Sequence, residues 1–158
     1  MNTGPVPVQG LFETHLTVRD LKRSITFYKD VIGLELGLEV PERNCAFFWI
    51  GESKHSMLGL WSIGTMPLGL VLHMAFEVTL NDLLSAPRRL RSNGVTPLSF
   101  FGQETDEPSA LCWMPAASVF FRDPDGHLIE YLAMLNEAPK PALGIIPWSK
   151  WLDHRENR

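Results

Sequence analysis

Three residues of this 158-residue sequence stand where their chemistry calls for a partner. His15 lies in the alternating run Leu11-Phe12-Glu13-Thr14-His15-Leu16-Thr17-Val18, and His73 in Val71-Leu72-His73-Met74-Ala75-Phe76-Glu77-Val78. The two histidines are 58 residues apart, at the same place in each run. Glu130 interrupts the apolar stretch Leu128-Ile129-Glu130-Tyr131-Leu132. Burying a carboxylate there is costly unless it is paired or bound to a cation. Imidazole and carboxylate groups shuttle protons and ligate divalent metals, so the elements that carry them decide what they do.

Those elements repeat. Each histidine run reads as a strand followed by a short polar break and an amphipathic helix, with Asp20 and Asn81 as expected N-caps and Gly33 and Gly94 closing the helices. Alternation along a strand puts Phe12, Leu16 and Val18 on one face, against the helical stripe Leu21, Ile25, Tyr28 and Ile32. Glu13, His15 and Thr17 then face the other way, as do His73, Ala75 and Glu77 in the second copy. Further strands are expected over residues 34–40, 45–51 and 55–62, and again over 96–100, 118–122 and 127–134. Each half thus reads β-α-β-β-β, with a first module at 8–64 and a second at 69–135. Residues 63–69, rich in Gly and Pro, are expected to link them.

Asp123-Pro124-Asp125-Gly126 is a tight turn: Pro124 presets φ, the Asp side chains accept from nearby backbone N–H groups, and Gly126 tolerates positive φ. It joins two apolar strands in a hairpin, in which Leu128, Glu130 and Leu132 share a face opposite Ile129 and Tyr131. His127 is expected to be a hairpin residue facing away. Residues 101–115 are expected to form a long loop. The tail, 136–158, carries Ile145, Ile146, Trp148 and Trp151, enough apolar surface for a docked helix or a subunit contact.

The bulk composition narrows the function classes. With 45% hydrophobic and 20% charged residues, a net charge of −4 and basic clusters confined to helices, nucleic acid is not the expected partner. No run approaches the ~20 apolar residues that span a bilayer. The opening residues show no signal-peptide pattern, so the expected location is cytoplasmic. Cys45 and Cys112 are too few for a disulfide framework. Cys45 sits in an apolar run, and a reactive thiol at Cys112, beside Trp113, is the less favoured reading.

The two His-bearing strand–helix units and the F-x-D-P-D-G-x-x-x-E hairpin resemble the vicinal oxygen chelate superfamily (glyoxalase, bleomycin resistance protein, extradiol dioxygenase) over roughly residues 10 to 135. The resemblance implies an α+β fold in which two βαβββ modules pair into an open, cup-shaped mixed β-sheet with helices outside. It implies metal ligands on the first strand of each module and the last strand of the second, which here are His15, His73 and Glu130, with Glu130 also the catalytic carboxylate. Two imidazoles and a carboxylate suit Fe, Zn, Mn, Ni or Co and leave positions open for substrate oxygens. The implied activity is that of a metal-dependent lyase, isomerase or dioxygenase on a small-molecule substrate chelated through oxygens. The alternatives are a non-enzymatic, bleomycin-resistance-like binding protein or a fosfomycin-type thiol transferase. A homodimer is expected, as is usual in the family.

The sequence departs from glyoxalase I at the last strand of the first module, His55-Ser56-Met57-Leu58-Gly59-Leu60-Trp61. Gly59 stands where that enzyme would supply a fourth ligand, usually Glu. Resemblance to the thiol transferases would imply basic or hydroxyl side chains for a phosphonate soon after Glu130, whereas Leu132-Ala133-Met134-Leu135 follows, with the nearest base at Lys140. Glu13 and Glu77 share the histidines' face and are candidate bases or ligand partners, with a wet rim as the plainer reading. Met57, Trp61, Trp49 or Phe48, Phe101 and Trp113 are expected to line an apolar cup suited to a small, partly apolar oxygenated substrate.

Overall fold

The computed structural model describes residues 11–52, 56–62 and 71–156, and the chain divides into two compact units between residues 69 and 70. The 63–69 linker and His55 lie outside the described residues. The fold is α+β, with one open mixed sheet in each unit.

In the first unit, β1 (Glu13–Val18) leads through Asp20, whose carboxylate accepts from the Arg23 N–H, into α1 (Leu21–Thr26). A wider π-turn over Phe27–Val31 continues the helix. Then follow β2 (Glu35–Val40), β3 (Cys45–Trp49) and β4 (Met57–Ser62). The strand order is β1-β4-β3-β2, with β1 parallel to β4 and the other pairs antiparallel. Leu16, Val18, Ala46, Phe48, Leu58 and Leu60 are buried on one face, with Ser24, Phe27 and Tyr28 of the helix against them. The buried stripe therefore differs from the expected Leu21, Ile25, Tyr28 and Ile32. Only Tyr28 of those four is fully buried, because the π-turn adds a residue and rotates Phe27 and Tyr28 together toward the sheet. Phe12, expected in the same core, is exposed one residue ahead of β1.

The second unit repeats the plan with β5 (His73–Glu77), α2 (Leu80–Ser92), β6 (Ser109–Leu111), β7 (Ala116–Arg122) and β8 (Leu128–Met134). Its sheet order is β5-β8-β7-β6, extended by β9 (Ile145–Pro147), and β5 runs parallel to β8. Phe76, Val119, Phe121, Ile129 and Ala133 form the core beneath Leu83, Ala86 and Leu90 of α2. The N-cap of α2 is Thr79 rather than Asn81: its hydroxyl accepts from the Asp82 N–H and donates to the Asp82 carboxylate, so the helix begins before Asn81. Gly33 and Gly94 close their helices at φ +82° and +72°, as expected.

The strand expected at residues 96–100 does not form. Pro97 cannot donate to a ladder, and only Leu98 bridges Phe120, while the Phe100 N–H turns to the Ser109 hydroxyl. Its place along β7 is taken by β6, from within the segment expected to be a loop. The tail docks on the same unit: β9 pairs with β6, and α3 (Trp148–Glu156) buries Trp148 and Trp151. Among the described residues no helix is long and apolar enough to cross a membrane.

Candidate metal centre

The β7–β8 hairpin positions Glu130. The Asp123 carboxylate accepts from the N–H groups of Asp125 and His127, and Gly126 takes φ +91°, so the turn closes tightly. The register then sets Phe120 opposite Glu130 and Ser118 opposite Leu132, all on one face. Glu130 is only 6% exposed, and the buried Ser118 hydroxyl donates to its Oε1. That bond leaves Oε2 free to face a neighbour.

The neighbour is His73. Its strand is fastened to β8 by the Leu128 N–H, which donates to the Leu72 carbonyl, and by the Leu72 N–H, which donates to Nδ1 of His127. His127 is thus a buried structural residue, in keeping with its facing away from the site. His73 Nδ1 lies 3.2 Å from the Leu128 carbonyl oxygen, and Nε2 lies 3.1 Å from Glu130 Oε2. A carbonyl can only accept, so Nδ1 carries the proton and, in the neutral ring, Nε2 presents a lone pair. A lone pair and a carboxylate oxygen at that distance repel unless positive charge, a proton or a metal ion, sits between them. Two donors each ~2.1 Å from one ion lie roughly 3.0 to 3.4 Å apart at tetrahedral to octahedral angles. The pair therefore fits a divalent cation, with Leu128 as the outer partner that fixes the tautomer.

His15 occupies the matching face of the first unit. Its ring lies 5.7 Å from Trp61 and 6.0 Å from Phe47, and it covers Gly59, its register partner. A Cβ at residue 59 would come within 2.7 Å of the His15 ring. Nε2 meets Glu13 Oε1 at 2.9 Å, so Glu13, one of two acids proposed for this face, contacts the histidine, whereas Glu77 is exposed at the end of β5. Among the described residues no three His, Cys, Asp or Glu side chains gather closely enough to hold a metal ion. On its open face each unit offers an imidazole–carboxylate pair, Glu13–His15 and Glu130–His73.

Around these pairs the open faces are aromatic. Trp49, Met57 and Trp61 flank His15's sheet face, while Phe48 belongs to the helix-side core, because Trp49 rather than Phe48 pairs with Met57 in register. In the second unit Phe120 lies 6.2 Å from His73 and 5.8 Å from Phe100, which in turn meets Phe101 at 5.5 Å. Phe101 and Trp113 are largely exposed. Tyr131 faces the helix side, packed on Phe121, and burial raises its phenol pKa above the usual value. Ser118 was not singled out from the sequence. The turn at residues 123–126 fixes the pairing of Phe120 with Glu130, and counting back two residues would have placed its hydroxyl on the same face.

Cys112 is 1% exposed, and burial raises its thiol pKa above the ordinary value, which argues against the reactive-thiol reading. Alkylation by iodoacetamide, followed by mass spectrometry, is expected to run more than about tenfold slower in the folded protein than in denaturant. Equal rates in the two states would contradict this.

The repeated βαβββ plan of the two units points to one class of protein, and the sequence comparison agrees. Residues 10–131 match the model of the Glyoxalase/Bleomycin resistance protein/Dioxygenase superfamily, and the chain belongs to that superfamily. It is 30% identical over 131 residues to the lactoylglutathione lyase of Salmonella typhimurium, covering 77% of this chain and 90% of that enzyme. It is 32% identical over 118 residues to the metallothiol transferase FosB of Staphylococcus epidermidis, covering 72% and 74% respectively. Among solved structures, an integron cassette protein from the mobile metagenome of the Halifax Harbour sewage outfall superposes with a TM-score of 0.69 at 29% identity. The match covers 80% of this chain and all of that one.

Proposed function

We propose that the protein is a metal-dependent enzyme of the glyoxalase type, in which His15, His73 and Glu130 hold one divalent cation (Fe, Zn, Mn, Ni or Co) and act on a small substrate that binds it through adjacent oxygens. The observation that carries the reading is the His73–Glu130 pair, with Nε2 and Oε2 facing each other at 3.1 Å and the far side of each group already engaged. When bound, such an ion supplies Lewis acidity to the substrate oxygens. The chain's own residues do the rest. The Leu128 carbonyl holds the His73 tautomer, Ser118 aims Glu130, and Phe120 and Phe100 offer an apolar wall beside His73. Around His15, Trp61 and Phe47 do the same. Rings with few charges among them favour a partly apolar substrate. The lyase or isomerase reading draws on the likeness to lactoylglutathione lyase, and a thiol-transfer reading on the likeness to the metallothiol transferase.

Metal analysis of the purified, reconstituted protein tests the proposal. One transition-metal ion per chain is expected in the wild type, and none retained through gel filtration in His73→Ala. A wild type that takes up no metal after reconstitution removes the basis of the reading.

A further inference from the structure

The first unit carries a cation beside His15 that the proposed metal centre does not use. Arg43 ends the short 3₁₀ turn Pro41–Arg43, after which Asn44 takes φ +50°. The Asn44 carbonyl accepts from the Ser62 N–H, which ties the turn to the end of β4, next to Trp61. There the Arg43 guanidinium carbon lies over the Trp61 ring, 4.8 Å from its centre. The same ring lies 5.7 Å from His15 and 5.9 Å from Phe47, so these four side chains form one continuous surface. Packing sets the indole there, since its N–H is buried with no hydrogen-bond partner among the described residues. Arg89, Arg91 and Arg155 each meet a carboxylate within 3.2 Å. Arg43 is exposed and meets none among the described residues. Glu39, close by in sequence, pairs with Ala46 and so belongs to the helix-side face. A guanidinium braced on an aromatic ring keeps its N–H edge free, and that edge matches a carboxylate with two parallel hydrogen bonds.

We infer that Arg43, braced on Trp61, anchors a carboxylate of the substrate, and that the rings of Trp61 and Phe47 receive the apolar body joined to it. The inference rests on the proposed function, which makes the His15 face a substrate surface, and it adds the substrate's charge. A neutral substrate gains nothing from the guanidinium edge. An anion gains charge-assisted hydrogen bonds from a side chain whose ordering the indole has already largely achieved. A purely structural Arg43 would brace Trp61 for every ligand alike, so a preference that depends on ligand charge separates the two roles.

The probes are 2-naphthoate and its neutral counterpart 2-naphthamide, titrated at low ionic strength into chelator-treated, nitrogen-15-labelled protein. Wild type is compared with Arg43→Gln and with Arg88→Gln on α2, which controls for general surface charge. The indole N–H resonance of Trp61, assigned with Trp61→Phe, reports occupancy. In the wild type naphthoate is expected to shift that resonance saturably and to bind about tenfold or more tightly than naphthamide, the scale of a charge-assisted contact. Arg43→Gln brings naphthoate down to the affinity of naphthamide and leaves naphthamide unchanged, which also shows that the face is still folded. Arg88→Gln changes neither. Equal affinity for the two probes in the wild type, no shift with either, or naphthoate binding untouched by Arg43→Gln overturns the inference. An equal loss of both probes in Arg43→Gln overturns it too, since Arg43 would then only brace Trp61. No readout here involves metal, so the proposed function stands or falls separately, on its own metal analysis.

Discussion

Glu130→Gln is expected to make the metal-free protein more stable while abolishing its stabilisation by metal. In the wild type a carboxylate only 6% exposed faces a ring nitrogen that, when the ring is neutral, has no proton to offer while its other nitrogen serves Leu128. Glutamine keeps the shape and still accepts from Ser118. Its amide also donates to Nε2 of the neutral His73 ring, turning what is then a repulsive contact into a hydrogen bond. Removing the buried charge and gaining that bond should raise metal-free stability by about 1 kcal/mol. With ligand at a thousandfold excess over its dissociation constant, metal should stabilise the wild type by about 4 kcal/mol, and the variant by almost none. Urea denaturation of both proteins, with chelator and with excess zinc, reads the two effects. A metal-free Glu130→Gln that is 2 kcal/mol or more less stable would mean the carboxylate is held by structural partners instead of awaiting an ion.

How much of this was open to reading in the sequence depends on the range of the physics involved. Strand alternation acts over two residues, so the common face of Glu13, His15 and Thr17, and that of Leu128, Glu130 and Leu132, followed from spacing alone. The Asp-Pro-Asp-Gly turn is equally local, and it brings Phe120 and Glu130 into register as its chemistry implies. The misses are longer-ranged. Residues Ser109–Leu111 carry no β-branched side chain and become a strand only because β7 and β9 flank them. The helical stripe moved because the π-turn at Phe27–Val31 is decided by packing of Phe27 and Tyr28 on the sheet. Thr79 displaced Asn81 as a cap because either side chain suits the position and the helix start chose between them. The contact between Glu13 and His15 depends on rotamers, which spacing permits but does not select.

The tail is where the largest loss of stability is expected. Trp151 is fully buried, and the Lys140 ammonium sits 4.6 Å over its ring. Further contacts hold α3 in place, among them the pairing of β9 with β6 and the Glu107 carboxylate, which accepts from both the backbone N–H and the hydroxyl of Ser149 at the start of the helix. Trp151→Ala removes the wedge beneath this latch and should cost ~3 to 5 kcal/mol, lowering the thermal midpoint by roughly 10 °C or more. The indole N–H has no hydrogen-bond partner among the described residues, so Trp151→Phe, which sacrifices only volume, should cost less than half as much. Because β7 and β8 separate β6 from His73 on β5, metal affinity measured well below the melting point should stay within about twofold of wild type in both variants. Calorimetry alongside metal titration checks this: a Trp151→Ala protein as stable as wild type would show the helix undocked in solution. Weakened metal binding at low temperature would show instead that the tail supports the β7–β8 hairpin on which Glu130 stands.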